Sequence, residues 1–271
     1  MVAPREDQAA GLRRLFRRTP PTVVALYGTG RRRAQVALQA AHRIAGRSER
    51  VLLLDEVRDE GSLAAALGLP AGGDLLSVLG GRSPVRELVQ PVPGLLGCVP
   101  VAACALALPL LDDARRECLL AALRTLQRPA SFILIHAACE GAADPSPFTL
   151  AAPRRLVVAE ASRSGATDAY QVIKRLAAAG AGSLHVAVCG ARGRADAAAF
   201  FASLSELVRR HVGVPLAWLG EVERDELAAG LGRSAAEASP RDAEAAFLRR
   251  LAAFGDVRAE AGAARRRGGW D

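Results

Sequence analysis

Thr22 to Asp55 reads TVVALYGTGRRRAQVALQAAHRIAGRSERVLLLD, and the fold is decided within it. Val23 to Leu26 is an apolar run that meets a loop containing Gly28 and Gly30. Val36, Ala40 and Ile44 then recur at helical spacing, and Val51 to Leu54 is a second continuous apolar run ending in Asp55. Runs of that kind suit strands covered on both faces, so the stretch predicts a parallel strand–helix–strand unit. In such a unit the loop after the first strand feeds a helix N-terminus, where unpaired amides and the helix dipole favour phosphate.

The loop lacks the side chains that phosphate chemistry needs. A phosphate-binding loop places lysine on the β and γ phosphates and a Ser or Thr hydroxyl on magnesium. The single lysine of the chain is Lys174, far downstream; Arg33 stands in the lysine position and Ala34 in the hydroxyl position. Arginine binds phosphate through a planar fork, and alanine cannot ligate a metal. Two readings therefore stand, a plain βα turn with a basic mouth and a vestigial nucleotide site.

The remaining chain repeats the alternation. Helical patterns are expected at Ser62 to Leu67, Asp74 to Leu79, Asp112 to Leu126, Ala166 to Ala179, Ala195 to His211 and Pro240 to Phe254. Strands are expected at Leu95 to Val99, Ser131 to Ile135, Leu156 to Ala159, Leu184 to Cys189 and Pro215 to Leu219. Strands alternating with helices argue for a doubly wound, mostly parallel sheet with helices on both faces. The charged loop Glu56 to Gly61 follows a strand end, where such folds keep their sites. His136 ends the strand that begins at Ser131; with no metal-ligand partner recognisable, it reads as an ordinary strand-end histidine.

A chain of 271 residues, 51% hydrophobic, is long enough for a large core in one α/β domain. The net charge of +8 would permit nucleic acid or anionic lipid. Arginine supplies 35 of the 36 basic residues, a compositional bias that weakens the charge as a functional signal, and nucleic acid is not expected as a partner. Cys98, Cys104, Cys118, Cys139 and Cys189 form no CxxC pair, and the four histidines are scattered, so reduced thiols and no zinc site are expected. The polar, charged start predicts no secretory leader. Leu95 to Leu111 carries no charge over 17 residues, but Pro100 and Pro109 favour a strand, a loop and a helix start over a membrane span.

Ahead of the first strand, Asp7 can cap a short helix whose Ala9, Leu12 and Phe16 share one side, and Thr19-Pro20-Pro21 ends it. Behind the last strand, Phe247, Leu248, Leu251 and Phe254 form the apolar face of a final helix, with Arg241, Arg249 and Arg250 nearby. That helix could lie on a membrane surface or pack on its own domain. The division expected is a partner-binding segment at 1–20, an α/β domain at 21–232, and a helix with a basic tail at 233–271.

From about residue 7 to 232 the chain resembles the MinD/ParA class of P-loop ATPases, and within it the flagellar-number regulators FlhG or FleN. The resemblance rests on Asp7-Gln8-Ala9-x-x-Leu12-Arg13, on Val51 to Asp55, and on Thr167-Asp168-Ala169-Tyr170 with Ile173-Lys174. A related regulator of cellulose synthesis is the alternative within the class. The resemblance implies a nucleotide site at Gly28, Gly30, Arg33 and Asp55, with ATP and magnesium as cofactors. It also implies an activator peptide (Asp7, Gln8, Ala9, Leu12, Arg13, Phe16) that docks on FlhF, a GTPase of the signal-recognition-particle type. Flagellar basal-body or regulatory proteins as further partners, and a cytoplasmic place near the inner membrane or cell pole with weak membrane association, follow from the same source.

The departures concentrate in the nucleotide site. Against KGGxGKT, residues 28 to 34 read Gly-Thr-Gly-Arg-Arg-Arg-Ala, so the signature lysine is Gly28 and the phosphate lysine Arg33. The second family aspartate falls on Val57, His136 replaces the Walker B acid, and Cys189 replaces the adenine-reading asparagine. Phosphoryl transfer depends on positioning and charge stabilisation, so each loss removes part of a small working set. Two expectations follow: an interaction protein that has lost ATP binding and hydrolysis, or an active ATPase with an unusual loop.

Overall fold

The computed structural model describes residues 20–46, 48–58, 60–70, 72–81, 84–137, 144–180, 183–233 and 240–254. The segment holding Asp7 to Phe16, Cys139 and the basic tail lie outside the described residues.

Seven strands form one sheet in the order β3-β2-β4-β1-β5-β6-β7, every neighbouring pair parallel. They are β1 (Thr22–Gly28), β2 (Val51–Asp55), β3 (Gly97–Pro100), β4 (Phe132–His136), β5 (Arg154–Glu160), β6 (Leu184–Cys189) and β7 (Ala217–Glu221). Nine helices connect and cover them among the described residues. Those of the first half are α1 (Arg33–Ala45), α2 (Leu63–Leu67), α3 (Ala102–Ala107), α4 (Asp113–Gln127) and α5 (Pro147–Ala151). The second half adds α6 (Arg163–Ala178), α7 (Arg194–His211), α8 (Leu227–Arg233) and α9 (Pro240–Ala253).

Period-two alternation along buried strands divides the core into two layers. Val23, Ala25 and Tyr27 of β1 face one layer, built with α3, α4, α5, α6, α7 and α9. Val24 and Leu26 face the other, where Ala37, Ala40, Ala41 and Ile44 of α1 pack with Leu63 of α2 and Leu227 and Leu231 of α8. This is the doubly wound arrangement expected from the alternation of strands and helices. Parallel strands joined by helical crossovers are buried on both faces, which is why β2 and β4 read as unbroken apolar runs.

Local chemistry shifts several boundaries. Asp74 to Leu79 is not an α-helix but a 3₁₀ segment, Leu75–Gly80. Asp74 starts it by accepting from Leu76 N at 2.9 Å, and the same carboxylate accepts from Ala103 N (2.7 Å) and Cys104 N (3.0 Å). One acid therefore caps two elements, which fixes the segment against α3 and leaves it a single short coil before Gly81. β3 starts at Gly97, two residues later than the apolar run suggests, because Leu95 N closes a turn onto Val92 O. α3, between Pro100 and Pro109, has no counterpart among the helices expected from the sequence. β7 lies two residues further on than expected, at the open edge of the sheet.

Phe247 and Leu251 of α9 are fully buried and Leu248 nearly so, in the layer shared with α4, α5 and β1. The apolar face that could have met lipid is turned onto the domain. No helix among the described residues is long and apolar enough to cross a membrane. Cys98, Cys104 and Cys189 are buried free thiols and Cys118 is an exposed one.

Candidate functional site: a crevice closed by its own carboxylates

After β1 the chain moves to β2 and β3 on one side, and after β4 it moves to β5, β6 and β7 on the other, so β1 stands at the switch point. Doubly wound folds bind ligands in the crevice outside the strand ends at this point. Register brings the relevant residues together there: Asp55 lies opposite His136, Leu26 opposite His136, and Gly28 opposite Val158.

The loop between β1 and α1 is held tightly. Thr29, buried, donates its amide to Val158 O at 3.1 Å, and its hydroxyl accepts from Glu160 N at 3.2 Å. Gly30, at φ 81°, must be glycine twice over: the angle is left-handed, and a Cβ there would collide with Glu160 Oε2. A Cβ on Gly28 would collide with Arg33 O. The helix that follows has no side-chain cap at Arg32 and no acid in its first turn. By sequence this is the place for phosphate, with free amides and a positive dipole end.

The structure fills that place from within. Gly30 N donates to Asp168 Oδ2 of α6 at 3.0 Å, and the Glu160 carboxylate lies beside it, 4.0 Å from Arg32. Two carboxylates thus stand where phosphate charge would go, and like charges oppose one another strongly at short range. Arg33 is half-buried. The same device recurs along the strand ends. Gly190 N, following Cys189 at the end of β6, donates to Glu223 Oε1 at 2.9 Å. Burial, with Glu223 and Glu160 nearby, pushes the Cys189 thiol up to about 12.

Asp55 is the most constrained residue of the crevice. Buried, it accepts at Oδ2 from Leu63 N (2.8 Å) and Ala64 N (3.4 Å), and at Oδ1 from Val57 N (3.2 Å). It therefore caps α2 together with Ser62, whose hydroxyl accepts from Ala65 N. His136 Nδ1 lies 2.9 Å from Asp55 Oδ1, and both side chains are buried. His136 is thus not the ordinary strand-end histidine expected: β4 lies beside β2, and the register sets the ring against the acid. The oxygens that would face a metal shell are committed to amides and an imidazole. No group of three or more His, Cys, Asp or Glu placed to hold a metal occurs among the described residues.

Gly28, Gly30 and Arg33 lie at the turn from β1 into α1 and Asp55 at the end of β2, all at the same end of the parallel sheet. Sequence reasoning misses Asp168 as a ligand of the loop, and misses Glu160, Glu223 and Thr29 altogether. Glu160 carries a signal, being an acid at the end of a buried strand like Asp55. Glu223 carries none.

No protein-family model and no curated protein matches the sequence. Among solved structures, the MinD cell division protein of Aquifex aeolicus is 17% identical over 85% of this chain and 94% of that one, with a TM-score of 0.50. A complex of Cyanothece McdA with ATP is 18% identical, covering 88% and 98%, at a TM-score of 0.48. A ParA family ATPase from Chlorobium tepidum is 15% identical, covering 86% and 98%, at 0.47. With seven parallel strands, helices on both faces and the likeness to Aquifex MinD, the chain has the α/β fold of the MinD/ParA-class P-loop NTPases.

Proposed function

We propose that this chain is a MinD/ParA-fold regulator that acts by binding a partner and has given up ATP binding and hydrolysis. The observation that carries the proposal is the closure of the crevice. The Gly30 amide is committed to Asp168, and Asp55 is committed to α2 and His136. An anionic triphosphate would have to displace Asp168 from the Gly30 amide and Asp55 from the amides and imidazole around it, and charge-assisted hydrogen bonds of carboxylates to such donors are among the stronger ones in proteins.

The partner we propose is an FlhF-type GTPase, engaged by Asp7, Gln8, Ala9, Leu12, Arg13 and Phe16, and the process is control of flagellar number or placement. Support comes from the sequence resemblance of that motif and from its place in the sequence, ahead of Thr19-Pro20-Pro21 and the first strand. Such a module needs no ATP chemistry in the domain that carries it. The purified chain is expected to hydrolyse ATP no faster than buffer. A measured turnover that Arg33→Ala removes would favour the second reading, an active ATPase in which arginine substitutes for the loop lysine.

A further inference from the structure

On the side of β1 away from α1, a cavity of about 410 Å³ opens between β1, α3, α5 and α6. Its walls are mostly apolar, from residues such as Ala105, Leu106, Val172 and Leu176. A short polar chain crosses it. Tyr27 OH donates to Thr149 Oγ1 at 3.4 Å, Thr149 Oγ1 lies 3.5 Å from Glu56 Oε2, and Ser146 Oγ donates to Glu56 Oε1. Arg58 and Arg175 complete the wall. None of these groups takes part in the crevice described above.

We propose that this cavity binds a small amphipathic anion, with its apolar body against α3 and α6 and its carboxylate or equivalent group toward Arg58 and Arg175. Its volume falls in the range of small-molecule sites, and an apolar lining with a few convergent polar groups is their usual composition. The lining sets Arg58 and Arg175 against Asp144 and Glu56, so with Glu56 neutral it carries one net positive charge and favours an anion over a cation, and guanidinium matches carboxylate geometry. Glu56 then sets the conditions. Burial raises its pKa from the ordinary carboxylate value to about 7, the Ser146 and Thr149 hydrogen bonds oppose that rise, and Asp55 adds to it. The neutral carboxyl offers a donor to the bound anion, and the ionised one repels it. The other groups around Glu56 are Asp55 with His136 behind it, Tyr27 on β1, Cys104 on α3, Arg58 and Asp144 in loops, and Arg175 on α6.

The probe is decanoate, which stays ionised through this range. It is titrated into the full chain by calorimetry, about one pH unit below and about one above the Glu56 midpoint of about 7. Affinity should follow the neutral fraction of Glu56 and be about tenfold tighter at the lower pH. Glu56→Gln should abolish that pH difference and hold the tight value at both. Ala105→Phe, which grows into the void, should remove binding. Should that variant fail to fold by circular dichroism, Arg175→Gln decides, and is expected to weaken decanoate at both pH values. The proposal is overturned by absence of decanoate binding, by tighter binding at the higher pH, by decylammonium binding more tightly than decanoate, or by unchanged binding in folded Ala105→Phe or in Arg175→Gln.

Discussion

Replacing Asp55 by alanine is expected to cost about 3–5 kcal/mol of stability, because three amides and the His136 ring lose their acceptor together and each buried donor left unmade costs about 1–3 kcal/mol. The change strips acceptors from Leu63 N, Ala64 N and Val57 N and leaves His136 Nδ1 facing an empty space. Buried donors left unmade carry the full desolvation penalty, and α2 loses the acid at its N-terminus. At roughly 2–4 °C per kcal/mol for a chain of this size, melting should fall by about 6–20 °C. Asp55→Asn keeps one acceptor oxygen and should lose less. In a double-mutant cycle with His136→Ala, the two losses should fall short of additivity by about 0.5–3 kcal/mol, since both remove the same contact. A free metal ligand would behave differently: Asp55→Ala would then melt within about a degree of the wild type, well inside the shift expected for a buried pair.

The second large effect concerns residues 1–20, ahead of the first strand in sequence. A peptide of residues 1–20 is expected to stimulate GTP turnover by an FlhF-type partner, and Gln8→Ala should remove most of that stimulation, on the order of 10² for a group that positions a reacting water. A side-chain amide both donates and accepts, so Gln8 can order an attacking water or the loops around it. Asp7 would cap the bound helix, worth about 0.5–2 kcal/mol, and Leu12 with Phe16 would anchor its apolar side in a groove. Equal stimulation by wild-type and Gln8→Ala peptides, or none by either, would remove the mechanism.

What is legible in the sequence depends on range. β1, β2, β4 and β6 can be read because a strand buried on both faces leaves an unbroken apolar run, and β6 falls to the residue at Leu184–Cys189. Also legible is that Arg33 and Ala34 differ in type from the lysine and hydroxyl residue of a phosphate-binding loop. What occupies the crevice instead is not. Asp168 reaches Gly30 across 138 residues and Glu223 reaches Gly190 across 33, and no local pattern records either meeting. His136 escapes a sequence reading for a related reason: its meaning depends on β4 lying between β1 and β2, which is a property of strand order. The 3₁₀ segment at Leu75–Gly80 reads as an α-helix because helical periodicity over six residues does not separate the two coils, and the dual cap at Asp74 is a tertiary contact.

The most direct test of the proposal that the crevice accepts no ATP is the melting temperature of the full chain with and without saturating magnesium–ATP. A ligand present at 100 times its dissociation constant stabilises by about 2.7 kcal/mol, which for a chain of this size raises melting by roughly 5–10 °C. With Gly30 N held by Asp168 and Asp55 held by His136 and α2, the account predicts no shift. A rise of that size that depends on magnesium and is lost in Arg33→Ala would contradict it.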